Sequence, residues 1–541
     1  MLATFLVDAT ALLEIGRIQS LLPQLDLGLR RAQSAAGVAA AGLLVLALAS
    51  IVVARAGPRR QSAAGVETWD RWRAVRWSAY LTIALLAAVW MLWNYRVDAV
   101  LTWPDTEDYA MVAGLSPFSA AFWAGGNPPG LPLVFKAFGL TYEALRGPSF
   151  DLIGRRVTQF DTVVSFLATG LLAYSLATVL RHKWLRPVAV LVIFAFGLSM
   201  EIAQWNKMLL SESLSTSLFF ALVAGAMLLA REWERSEGPR RPFLLFLLAG
   251  VALGCALFAF TRDVNAYFLL ALGLALSPFA LAAAFRRSTR WWVLAVVTAV
   301  ALLAGLTSVT ARRSRWSYPF INLVYERFLP DPAAVAFFAD RGFPFDVIET
   351  IQPKSRRELH VAFRSDPRAE PLRLWFAEKA RAVHAAFLLS RPVETLSAPV
   401  SRLATWLSPD VSWYRIRQHP EPDWMLVAGA MAYPESPWFL APWFVVTIMC
   451  TVIWIRAGRG RTVWAVPLLV LAMLYPLLLV VWHGDSAALE RHSLPIGLGL
   501  RLSLWLLFFL LLDAVLPVPR HAKMTPSSSG SESDPLKTES R

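Results

Sequence analysis

Long uncharged stretches recur along this chain, and they dictate what it can fold into. Eleven runs of 17 or more largely uncharged residues occur, at about 36–54, 77–95, 160–180, 187–203, 214–230, 243–261, 264–285, 291–310, 439–455, 463–482 and 494–516. Such a run is the length an α-helix needs to cross a hydrocarbon layer of about 30 Å. In lipid every backbone N–H and C=O must be bonded within its own segment, so the runs are expected to be helices. The composition agrees. Of 541 residues 56 % are hydrophobic and 17 % charged, against about 25 % charged in soluble domains. That excludes a disordered chain, a coiled coil or a disulfide scaffold. Cys255 and Cys450 both lie in apolar runs and read as small core residues.

The net charge is +14, and its distribution points to a membrane with no nucleic-acid partner. Lys and Arg number 19 in the connections 55–76, 181–186, 231–242, 286–290 and 456–461, but 3 in 201–213, 262–263 and 483–492. The two sets alternate strictly along the chain, as the positive-inside rule requires. The basic set and the C-terminal tail are therefore expected on the cytoplasmic face, and the long segments 96–159 and 311–438 on the outer face. Residues 2–22 carry Asp8, Glu14 and Arg17 and do not read as a span. Nor do they show the basic and apolar regions of a cleaved signal peptide. Five regions are expected: 1–76 with an extra transmembrane helix and a basic cytoplasmic loop; a membrane core, 77–310; an outer soluble or interfacial segment, 311–438; the C-terminal helices, 439–516; and a disordered cytoplasmic tail, 517–541. Within the outer segment, 325–342 and 372–389 are expected to be helical.

Ionisable residues gather at the outer ends of the spans. Asp105, Glu107 and Asp108 follow Trp103-Pro104 just after a span emerges. Pro104 and Asp105 suit a helix start, with Asp105 near the cap. Three clustered carboxylates also suit general-base work or a divalent ion. Gly125-Gly126-Asn127-Pro128-Pro129-Gly130 lacks the spacing of a phosphate loop and reads as a rigid turn. Lys207, Arg262 and Arg491 stand at outer span ends, where they could anchor the helices or hold an anion. Arg501 lies within the last span, about 9 Å below its outer end at about 1.5 Å per residue. An intramembrane Arg is a functional candidate, although its long side chain can also snorkel to the interface. His483 and His492 are too few for more than a weak metal pair. The abundant Trp at span ends reads chiefly as an interfacial belt.

These residues follow a recognisable order. The chain resembles the GT-C superfamily of membrane glycosyltransferases, near the protein O-mannosyltransferases and the aminoarabinose transferases. The likeness covers about 77–516. It is carried by Asp105-x-x-x-Tyr109 in the first outer loop and by Asn127-Pro128-Pro129-Gly130-Leu131-Pro132 after it. Ser211-Glu212-Ser213-Leu214 opens a span in the family manner, and Thr261-Arg262 ends one. Glu490-Arg491-His492 precedes the last span. Asp263 replaces a family Pro, Thr106 separates the usual acid pair, and the large soluble segment lies between the eighth and ninth spans rather than at the C-terminus. The resemblance implies an all-α polytopic fold of about 11 transmembrane helices with two large outer-face segments. It implies transfer of a hexosyl or pentosyl group from a polyprenyl-phosphate carrier to a glycan, lipid or protein acceptor on the outer face. Asp105 would be the base, with Glu107 and Asp108 as its reserves. Arg262, Arg491, Arg501 and Lys207 would hold the donor phosphate, and Tyr109, Glu212 and His492 would support them. No cofactor is required by the motifs. A divalent cation, Mg or Mn, would take Asp105 and Asp108.

Two other functions compete. A polysaccharide polymerase or ligase would use the same lipid carriers, and its large outer loop normally lies late in the chain, as 311–438 does. A transporter or flippase needs ionisable groups near the midplane, whereas spans 77–95, 214–230, 264–285, 291–310, 439–455 and 463–482 carry none. Neither long loop contains an Asn-x-Ser/Thr acceptor, which favours a bacterial inner membrane.

Overall fold

The computed structural model describes residues 65–94, 100–124, 127–234, 241–284, 289–311, 317–353, 355–407, 422–456, 462–486 and 489–516. The run at 36–54, the turn residues Gly125 and Gly126, and the tail 517–541 lie outside them. The described chain is a polytopic helical membrane protein. Nine of its helices are long and apolar enough to span a bilayer, and a bent pair makes up to ten. All ten correspond to the apolar runs from 77 onward.

The spans are α1 (Gly65–Asn94), α4 (Phe150–Val179), α7 (Ser211–Trp233), α8 (Arg241–Ala259), α9 (Asp263–Ala284), α10 (Thr289–Ala311), α13 (Pro437–Trp454), α14 (Thr462–Gly484) and α15 (Leu494–Val515), with the bent pair α5 (Leu185–Gly197) and α6 (Met200–Ala203). A 3₁₀ turn, Gln204–Lys207, continues α6, and the pair bends by 47°. The run 187–203 is thus not one straight helix. Beyond Gly197 the chain carries Ser199, Glu201, Gln204 and Asn206 and turns aside where the apolar pattern stops. Small residues let the spans approach closely. A Cβ on Gly197 would lie 2.5 Å from the Thr169 side chain, and one on Gly305 would lie 2.9 Å from the Ala266 carbonyl. The helices α7 and α15 are the most enclosed, with 72 % and 78 % of their apolar windows buried. They form the axis around which the others pack.

Polar contacts gather at both ends of the bundle. At one end Arg491 meets Asp105, Arg262 meets Glu212, and Asp485 meets Asn322. At the other, Asp513 receives the backbone of Arg181 and His182, and Glu234 receives that of Thr462.

The segment 317–390 has its own aromatic core, in which Phe320, Phe328, Phe338, Phe343, Trp375 and Phe376 interlock. Its helices are shorter than the two expected. Pro330 and Pro332 interrupt the first, which splits into a π-turn, Val324–Phe328, and a helix, Pro332–Ala339. The second breaks at Lys379 between Glu370–Glu378 and Ala380–Ser390. Beyond this core the chain descends along the bundle. The Tyr475 hydroxyl donates to Leu396 O at 2.6 Å from within α14, and Trp406 packs on Trp482. Two short helices, α11 (Leu403–Leu407) and α12 (Asp423–Ala432), then end against α15.

Candidate active site

The first outer loop is built as a brace. Helix α2 (Pro104–Gly114) starts at a proline whose missing N–H costs nothing there, and α3 (Gly130–Phe138) follows. Thr106, wholly buried, accepts from Trp103 N at 2.9 Å and donates to Leu209 O at 3.0 Å. Leu209 N in turn donates to Leu101 O at 3.0 Å. The Tyr109 hydroxyl lies 3.0 Å from Ser211 Oγ, and its ring meets Phe135 edge-on. These bonds fix α2 against the start of α7. The Pro-Pro-Gly turn fixes α3 to the end of α8. Gly130 N donates to Phe260 O at 2.8 Å, and a Cβ there would lie 2.8 Å from Thr261 Oγ1. Both braces converge on the residues that carry charge.

Four of those residues form one cluster. Arg491 Nη2 lies 2.6 Å from Asp105 Oδ2, and Arg491 Nε lies 2.9 Å from Glu212 Oε1. Arg262 Nη2 reaches the same Glu212 oxygen at 3.2 Å. Glu212 is 1 % exposed and sits in the first turn of α7, where the helix dipole also favours a carboxylate. Burial alone would lower the Arg491 pKa, but the Glu212 and Asp105 carboxylates outweigh it and raise the pKa, so the guanidinium is a fixed charge. The cluster extends outward. His492 Nδ1 lies 3.4 Å from Arg262 Nη2, and His492 Nε2 lies 3.7 Å from Asp485 Oδ2. Asn322 donates to Asp485 at 2.8 Å and faces His360 Nε2 at 2.7 Å. This line joins the bundle to the 317–390 segment, which Arg327 also pins by stacking on Trp482.

The cluster keeps unused hydrogen-bonding capacity. Arg262 Nη1 is buried with no hydrogen-bond partner, and neither Glu212 oxygen accepts a well-directed bond. Arg262 also lines a narrow cleft between α7, α8, α9, α14 and α15, together with Ser215, Thr216 and Asn265 and with Phe219, Phe258, Phe268 and Leu498 in its walls.

Of the other sequence candidates, Glu107 and Arg501 have partners of their own outside this cluster. Asp105 does not cap α2; Trp103 is the cap residue, and the Asp105 carboxylate turns to Arg491 instead. Glu107 is exposed and faces Arg146 at 3.8 Å. Asp108 and Lys207 are half-buried. Arg501 is far from being a free phosphate ligand. It is wholly buried and donates to Pro434 O at 2.8 Å, Gly497 O at 2.9 Å and Leu407 O, with Tyr433 under its face at 4.2 Å. Among the described residues no group of three or more His, Cys, Asp or Glu side chains is placed to hold a metal ion. Asp105 is engaged by Arg491. His483 Nε2 donates to Thr395 O at 2.8 Å and does not join His492.

Sequence reading passed over Asp485 and Asn322, which extend the cluster, and Asp161, which is 1 % exposed with neither carboxylate oxygen hydrogen-bonded. An acid at the very start of an apolar run was the available signal for Asp161.

No family model matches this sequence, and no curated protein matches it. Among solved structures, the chain is similar to the archaeal oligosaccharyltransferase AglB from Archaeoglobus fulgidus, in complex with an inhibitory peptide and a dolichol-phosphate, at a TM-score of 0.40 and 14 % identity. The match covers 80 % of this chain and 50 % of AglB, so the chain spans about half the length of that protein.

Proposed function

We propose that this protein is a membrane glycosyltransferase that moves a sugar from a polyprenyl-phosphate carrier to an acceptor at the outer end of the bundle. The observation that carries this reading is the unfilled, buried Nη1 of Arg262 in the lining of a narrow cleft, beside Arg491. A lipid phosphate suits that site, because its oxygens take the free guanidinium donor. Arginine suits this task because its planar fork meets phosphate oxygens in pairs.

The reaction then follows from charge. An acceptor hydroxyl oxygen forms a bond to the anomeric carbon while the bond from that carbon to the phosphate oxygen breaks. The proton of the hydroxyl passes to Asp105, which is one-third exposed and open to an acceptor. The leaving phosphate gains negative charge, which Arg262 and Arg491 stabilise in place. Glu212 holds the two arginines together without approaching the acceptor. The basic connections at the opposite end support an outer-face site, and with it a membrane of bacterial inner type.

The test is sugar transfer from labelled polyprenyl-phosphate sugars by purified protein, comparing the native chain with Asp105→Asn. Loss of transfer by the inserted, folded variant supports the assignment. Transfer at the native rate would remove Asp105 from the chemistry. Absence of transfer by the native chain with every monosaccharide carrier, but activity with lipid-linked glycans, would favour a polymerase or ligase. The packing of 317–390 on the same end by Asn322 and Arg327 is the observation behind that second reading.

A further inference from the structure

The opposite, basic end of the bundle holds a second cavity that glycosyl transfer at the first end does not use. It lies between the ends of α4, α7, α14 and α15, and Val179, Val463, Leu510 and Ala514 supply its apolar wall. Four charged residues line it: Arg181, Arg231, Glu234 and Asp513. Formally they cancel, but their hydrogen bonds do not. Asp513 Oδ1 accepts from Arg181 N and His182 N, both at 2.8 Å, and lies 3.0 Å from His182 Nδ1. Glu234 Oε1 accepts from Thr462 N. One oxygen of each carboxylate is thus engaged, by backbone N–H groups and, for Asp513, by the His182 imidazole. The guanidinium groups of Arg181 and Arg231 are exposed and make no hydrogen bond or ion pair among the described residues. The cavity therefore offers a ligand two free arginine forks beside an apolar wall.

We propose that this cavity binds the headgroup of an anionic phospholipid, with the phosphodiester on Arg181 and Arg231 and the upper acyl chains along Val179, Val463 and Leu510. Charge selects the class. The connections at this end carry most of the chain's short-loop Lys and Arg, which draws anionic lipid to the surface, and basic pockets between spanning helices are suited to such headgroups. The apolar wall distinguishes a lipid from a free anion, because inorganic phosphate would leave it unused. Trp464, stacked on Trp454 at 6.4 Å, adds the flat aromatic edge usual at the depth of a headgroup. The bound lipid would bridge the ends of four spans, including the two axial helices α7 and α15, and so would stabilise the bundle from the end remote from the chemistry.

The experiment uses the full chain, purified and delipidated in neutral detergent. Thermal unfolding and native mass spectrometry are recorded with added phosphatidylglycerol, phosphatidylcholine or inorganic phosphate. Phosphatidylglycerol is expected to raise the unfolding temperature and to persist as a bound adduct, while the other two do neither. The double variant Arg181→Gln, Arg231→Gln should bind phosphatidylglycerol at least tenfold more weakly with the unliganded unfolding temperature unchanged, and Arg181→Lys, Arg231→Lys should retain part of the affinity. Equal stabilisation by phosphatidylcholine, or undiminished phosphatidylglycerol binding by the Gln variant, would overturn the site. Competition by inorganic phosphate at the same concentration would overturn the lipid as its occupant.

Discussion

Two buried arginine sites in this protein look alike in sequence and differ in kind. Arg501 and the Arg262–Arg491 pair all occur at or within the apolar runs, and all are nearly inaccessible. Arg501 is surrounded by neutral carbonyls, two of which follow the ends of α11 and α12, where the helix dipole is negative. Its donors are spent where non-helical backbone lies beside the spans, the one place such backbone is tolerated at membrane depth. Arg262 and Arg491 instead face carboxylates and retain a buried donor with nothing to bond. The lesson is that burial does not separate a structural cation from a functional one. The chemistry and saturation of its partners do.

Substitution should separate them. Arg501→Met removes one side chain and leaves the Pro434 and Leu407 carbonyls without its donors, at about 1–3 kcal/mol for each buried group left unsatisfied. A loss on the order of 4 kcal/mol is expected, read as a large drop in unfolding temperature in detergent. Arg262→Gln leaves Glu212 partnered by Arg491, so the fold should survive with a small shift in unfolding temperature. Transfer should fall about 10²–10³-fold, the scale for losing one donor that stabilises developing charge. If Arg501→Met folded normally yet lost transfer, the contrast between the two sites would collapse.

His384 provides a third arrangement, a buried group kept uncharged. It sits among Phe320 and Phe328, with ring centroids 5.2 and 5.9 Å away. Burial, helped by nearby His483 and Arg327, brings its pKa down to about 4 from an ordinary 6.5. Between those values the unfolded chain binds a proton that the folded chain refuses. Stability is therefore intact above about pH 6.5 and falls as pH drops toward 4. Between pH 7 and pH 5 this group should cost about 2 kcal/mol. Thermal unfolding of native protein and His384→Leu at the two pH values checks it; the variant should lose less stability on acidification.

The spans and their alternation were legible because lipid imposes a length and a polarity rule that one sequence can display alone. The meeting of Asp105, Glu212, Arg262 and Arg491 was legible only in part. Each stands at a span end on the same side, which sequence reveals, but their pairing depends on how α2, α7, α8 and the turn before α15 pack. Arg501 was read as a phosphate candidate because its partners, the carbonyls of Leu407 and Pro434, belong to a segment whose descent along the bundle no hydropathy pattern marks. The short helices of 317–390 were hidden for a related reason. Their apolar residues point into a local aromatic core, and the proline and Lys379 breaks interrupt a periodicity that otherwise runs on.

Tyr109 poses the contrast at its finest scale. The family motif places it beside the base, so sequence alone makes it a site residue. Its ring, however, is 4 % exposed and packs on Phe135, and its hydroxyl meets Ser211 at 3.0 Å. That contact joins α2 to the first turn of α7, one residue before Glu212. The hydroxyl therefore acts on the cluster by position, through the backbone that carries the carboxylate. Tyr109→Phe keeps the ring and removes one hydrogen bond, about 1 kcal/mol of stability. The acceptor KM should stay unchanged and kcat should fall by less than about threefold, since a shift of that energy shared between fold and site cannot exceed a tenfold rate change. A loss approaching that of Asp105→Asn, with the unfolding temperature unmoved, would instead place the phenol in contact with the reacting groups and make Tyr109 part of the chemistry.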